Sequence, residues 1–175
     1  DRKANLELLV EGGAKVIVGV GFMFTDPMTE IATANPEVAF GIVDGFIGGA
    51  CGDPVTLTNV ACLLFAAGQG SFLVGAAAAL KSETGHIGFI GGQEIDLIKA
   101  FEAGYTAGAK YVNPEIIVDV KYLGPAGDNS AWGNVAGAKE IAAGWYAAGA
   151  DGIHLFNENN RAVMRALGTA PAPAH

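Results

Sequence analysis

Positive charge is scarce in this sequence. Ten Lys and Arg stand against eighteen Asp and Glu, a net charge of −8. No basic cluster offsets the deficit, so binding nucleic acid or another polyanion through bulk electrostatics is excluded. Cysteine is scarcer still: Cys51 and Cys62 are the only two. With no C-x-x-C and no Cys/His cluster, a structural zinc site is excluded. The pair reads as two separate thiols, with a disulfide as the alternative in an oxidising compartment. His86, His154 and His175 share no metal-ligand spacing.

Catalytic signatures are missing too. GVGF (19–22) lacks the G-x-G-x-x-G spacing, and its Phe-Met-Phe continuation would crowd a pyrophosphate. There is no G-x-x-x-x-G-K-[ST], and Ser71 stands outside a G-x-S-x-G elbow. Nothing places a nucleophile beside a base. The uncharged run Val60 to Leu80 has the length of a membrane span, roughly 20 residues. It has no basic flank, and Gly-Gln-Gly-Ser interrupts its middle, so it reads as a strand followed by a helix.

What is abundant is apolar residues, 51% of the chain, and glycine, 26 residues. That is about twice the usual glycine share of roughly 7%, without a collagen period, and it predicts many tight turns between short elements. A short helix ends at Gly12-Gly13. Strands are predicted at 15–21, 38–44, 59–65, 86–90, 115–124 and 151–156. Helices are predicted from Thr25 to about Asn35, over 72–83 with Ser71 as cap, and over 93–109, 134–148 and 159–168. Residues 45–57 and 125–133 are loops, and Gly91-Gly92 is a turn. This alternation predicts an α/β fold of parallel sheet flanked by helices. In such sheets ligands bind beyond the carboxyl ends of the strands.

Those ends carry the candidate site residues. Phe22, Phe46 and Trp132 are aromatics in loops, suited to holding a flat solute, with Asp44 or Asn134 supplying hydrogen bonds. For Phe22 the competing reading is packing under a helix. Trp132 sits in the polar loop GDNSAWGN, where core packing is not the automatic explanation. Asp44 either faces the crevice or caps the next turn. His154, inside a strand, reads as a hydrogen-bonded core residue.

Three stretches carry a resemblance: GVGFMFTDPMTEIATANPEVAFGIVD, QGSFLVGAAAALKSETGHIGFIGG and IKAFEAGYTAGAKYVNPEIIVDVKYLG. Together they resemble the basic membrane protein family, substrate-binding lipoproteins of bacterial ABC transporters. The best-understood members of that family bind purine nucleosides. The resemblance runs from about Ala4 to Ile153. It implies a type I periplasmic-binding-protein-like fold of two lobes, with the solute held between them and no chemistry performed. Residues 1–66 would be a partial first lobe and 67–175 most of the second, with a hinge crossing near 66–70 and a frayed tail at 169–175.

The resemblance also assigns positions. Gly21 and Phe22 match a loop beside the cleft, and Asp44 matches the acidic residue ending a first-lobe strand. SAWGNVAGAKE stands where the family has a loop like GSFNDPAKGKE, so Trp132 takes the place of a base-stacking Phe and Asn134 that of an Asp. Gln69 replaces an acidic residue, and HLFNENNRA replaces a glycine-rich loop. The family's opening and closing strands are not represented, which implies a chain incomplete at both ends and prone to self-association. The implied partners are a nucleoside and a transporter permease, with no cofactor and no metal. The implied location is outside the cytoplasmic membrane, on a lipid anchor. The alternatives are a cytosolic ligand sensor with the same fold and a nucleotide-dependent α/β enzyme.

Overall fold

The computed structural model describes residues 1–155. The chain divides into two compact units, Asp1–Phe65 and the part from Ala66 onward. The predicted helix at 159–168 and the tail lie outside the described residues.

The first unit runs α1 (Arg2–Glu11), β1 (Val16–Val20), α2 (Thr25–Ala34), β2 (Ala39–Val43), the four-residue α3 (Gly48–Cys51) and β3 (Val60–Leu63). Its strands pair in parallel in the order β1-β2-β3. Strand residues alternate between faces, and one face packs Ile17, Phe40, Ile42 and Val60 against Leu6 of α1 and Met28 and Ile31 of α2. Full burial of each large side chain contributes about 1.5–3 kcal/mol. The other face leaves Val16, Val18, Val20 and Leu63 exposed. Asn59 ties the unit together: its Nδ2 donates to the carbonyls of Ala32, Asn35 and Val38 at 3.0–3.1 Å.

The 45–57 stretch departs from the predicted loop. It contains α3, and Cys51 in α3 is paired with Cys62 in β3 as a disulfide, with the Cα atoms 6.0 Å apart. Reading them as separate thiols was wrong. The buried Ile47 seats α3 against β3, which brings the two cysteines together although the sequence separates them by 11 residues.

The second unit runs α4 (Ala67–Lys81), β4 (His86–Gln93), α5 (Asp96–Val112), β5 (Ile117–Gly124), α6 (Val135–Ala147) and β6 (Gly152–Leu155). Its sheet is parallel with β4 at the centre, in the order β5-β4-β6. β4 is buried on both faces: Ile87 and Phe89 pack with Ile98 and Tyr105 of α5, and Ile90 with Ala138 and Ala142 of α6.

Two predicted boundaries move. The helix expected from Ser71 begins at Ala67, so the Gly-Gln-Gly-Ser break is helical and Ser71 is not a cap. Ser71 is buried inside α4 and donates to the Phe101 carbonyl at 2.6 Å. The second change is at Gly91-Gly92, which is strand and not a turn. β4 continues to Gln93, and α5 starts only at Asp96. Gly88 and Gly92 leave room for the rings of Trp145 and Trp132, and Gly91 for Tyr122. Close approach of another group is the usual reason for glycine inside a strand.

Candidate functional site

The first cluster forms at the carboxyl end of the first sheet. Gly21, directly after β1, has φ 103°, open to glycine and strained for other residues. Its N–H donates to the Val43 carbonyl at 2.7 Å, placing the loop after β1 beside the end of β2. Phe22 follows in a short 3₁₀ turn, Phe22–Phe24, and is half-buried. Asp44, first residue after the central strand, has φ 58°. It is the only non-glycine in the left-handed region among the described residues. Its N–H donates to Leu63 at 3.0 Å. Its carboxylate meets no donor among the described residues, and α3 has no side-chain cap. Of the two readings of Asp44, the cap is therefore ruled out. Phe46 stands next to it, 53% exposed, between Gly45 and the buried Ile47.

The second cluster forms at the carboxyl end of β4. In the order β5-β4-β6 the chain leaves β4 toward one neighbour and later returns to the other, so strand order reverses at β4. Such a reversal opens a crevice beyond the strand ends. The 125–133 loop lies there. Asp128 accepts from the Ser130 N–H at 3.0 Å and caps the 3₁₀ turn Asn129–Gly133. Ala131, buried, anchors that turn. Trp132 is half-buried, its ring lying against Gly92, and is not the solvent-exposed side chain its polar loop predicts. Asn134 is exposed and is the N-cap of α6: its Oδ1 accepts from the Gly137 N–H at 2.9 Å. Trp132 and Asn134 are thus neighbours on one loop, and Gly21, Phe22 and Asp44 are neighbours on one sheet edge.

Gln93, which after Gly-Gly reads as the start of a helix, instead ends β4 at this edge. It is only 3% exposed. Its Nε2 donates to Asn129 Oδ1 at 3.1 Å, and its Oε1 accepts from the Gly127 N–H at 3.2 Å. Tyr122, beside Gly91, has its hydroxyl pushed up to about 12, mainly by burial, with Glu102 and Glu94 adding repulsion. The hydroxyl oxygen itself is buried. Among the candidate residues of both clusters the formal charge is carboxylate only.

The two histidines of the described residues have partners of their own. His86, at the opposite end of β4, bonds Asp119 at 2.8 Å through Nε2. His154, in β6, is stacked on Tyr105 with ring centroids 5.4 Å apart and lies 5.5 Å from Phe89. Burial lowers its pKa.

Residues 1–168 match the family of ABC transporter substrate-binding proteins described as PnrA-like. The chain is 36% identical over 151 residues to Basic membrane protein A2 of Borrelia garinii subsp. bavariensis, covering 86% of this chain and 42% of that protein. It is 37% identical over 154 residues to the ABC transporter nucleoside-binding protein BmpA of Lactococcus lactis subsp. cremoris, covering 88% and 40%. The chain thus spans about two fifths of the length of these curated relatives. In fold it is similar to a solved ABC transporter solute-binding protein from Aeropyrum pernix K1. The TM-score is 0.70 at 22% identity, over 95% of this chain and 45% of that one.

Proposed function

This chain belongs to the PnrA-like family of ABC transporter substrate-binding proteins, and from that premise we propose that it captures a nucleoside, with a purine base, for import. The solute is bound and released unchanged to the permease. The protein works outside the cytoplasmic membrane, on a lipid anchor. One observation carries the ligand reading. Each sheet's central strand ends beside a group suited to it: the open carboxylate of Asp44 after β2, and the half-buried indole of Trp132 against the end of β4.

An indole stacked on a base contributes about 1–3 kcal/mol. A carboxylate accepts hydrogen bonds from ribose hydroxyls or a base N–H, and buried polar pairing of this kind discriminates between solutes by large factors. Gly21 and Phe22 form the edge beside Asp44, and Asn134 fixes the start of α6 under the Trp132 loop. The carboxylate and the net charge of −8 repel a phosphate. Nucleosides are therefore expected to bind, and the corresponding nucleotides to bind far more weakly.

The test is a thermal-shift screen with nucleosides, nucleotides, sugars and amino acids, followed by calorimetry on the hits. Stabilisation by nucleosides alone, with affinity in Trp132→Ala reduced by about tenfold or more, supports the reading. Stabilisation by sugars or amino acids and not by nucleosides would sink the ligand assignment. Unchanged affinity in Trp132→Ala would sink the residue assignment.

A further inference from the structure

We propose that Gln93 is a positioning residue for solute binding: it fixes the 125–133 loop, and with it the Trp132 ring, at the carboxyl end of β4. The inference rests on the reading of Trp132 as a solute contact.

Gln93 is the last residue of the central strand, so its backbone belongs to the most constrained part of the second unit. Its side chain is almost fully buried, and both ends of its amide are used. The carbonyl accepts from Gly127 and the amino group donates to Asn129, two loop residues separated by the capping Asp128. A single primary amide therefore grips the loop at two points. Only Asn and Gln carry a donor and an acceptor in this arrangement, and from the end of β4 the longer one reaches. The neighbouring residue, Gly92, has no side chain, and the Trp132 ring occupies that space. Gln93 thus sets where the loop runs and Gly92 sets how deep the ring lies. Without the amide, a loop of glycine, proline and polar residues has many alternative conformations, and binding must then restrict them at a cost in affinity.

Calorimetry with guanosine tests this on Gln93→Leu, Trp132→Ala and their combination. Gln93→Leu is expected to lose on the order of tenfold in affinity, what two neutral hydrogen bonds are worth. It should also shift the Trp132 emission, isolated by subtracting the spectrum of Trp132→Phe. The double variant should bind no worse than Trp132→Ala, because Gln93 acts through the ring. Asn129→Ala removes one of the two bonds from the exposed side of the loop. It gives a partial loss of affinity even if Gln93→Leu folds poorly.

Unchanged affinity in both Gln93→Leu and Asn129→Ala overturns the proposal. Losses that add in the double variant overturn it as well, since Gln93 would then act independently of the ring. Trp132→Ala with unchanged affinity instead overturns the site reading on which this inference rests.

Discussion

Asp44 holds a conformation that costs an ordinary residue about 1–2 kcal/mol, and its carboxylate receives no bond among the described residues that would compensate. Strain retained beside an open polar group is typical of a binding edge. Asp44→Gly should therefore raise the urea midpoint, by up to about 1 kcal/mol in stability, while lowering solute affinity. Asp44→Asn keeps the shape and tolerates the left-handed region, so it should lose affinity at nearly unchanged stability. If stability and affinity fell together in Asp44→Gly, the carboxylate would be structural and its role as a contact wrong. Asp44 was legible in the sequence because it ends a β-branched run, but its backbone conformation was not. Trp132 was legible as an indole in a polar loop, and its depth was not, since that depends on Gly92 forty positions earlier. Gln93 was not legible, because its partners are Gly127 and Asn129 and no local pattern points to them.

Helix α4 shows the same limit at the scale of an element. Its glycines look like a break when only the local sequence is weighed. All of them are helical, and at two of them, Gly68 and Gly75, α5 lies close by at its backbone. A Cβ on Gly75 would strike the Tyr105 carbonyl, one on Gly104 would strike Gly68, and one on Gly108 would strike Phe72. Ser71 fits the same seam by bonding Phe101. This pairing is non-local, so periodicity along α4 alone could not reveal it, whereas the strand-helix alternation and the parallel pairing followed from patterns within each segment. Gly75 and Gly70, in the same helix, predict opposite outcomes. Gly75→Ala has no flexible side chain to push aside and should cost about 1–3 kcal/mol. Gly70→Ala meets nothing within 4 Å and should stabilise the helix by about 0.5–1 kcal/mol. Chemical denaturation of the two variants checks the signs, and equal effects would mean that α4 and α5 do not pack in this way.

At the scale of the molecule, the two units carry different chemistry. The first has no histidine, and both tryptophans lie in the second, so tryptophan emission follows the second unit alone. His154 is in the second unit, where burial beneath Phe89 and Tyr105 lowers its pKa from the ordinary 6.5. The unfolded chain then takes up a proton that the folded unit resists. Stability is complete above the ordinary value and falls as the pH drops below it, down to the lowered folded value. Asp151 adds a second, more acidic loss. Its burial alone would raise its pKa, but bonds from the Ser82 hydroxyl and the N–H groups of Thr84 and Glu83 outweigh that and lower it. Below the usual carboxylate range those bonds are lost. The melting temperature followed by tryptophan emission should therefore decline from neutral pH toward pH 5. His154→Phe keeps the ring stack and removes this one titration, so its melting temperature should decline less over the same window. A wild-type curve as flat as the variant's would show that the imidazole is equally free to protonate in the folded unit, and that β6 does not bury it between the two rings.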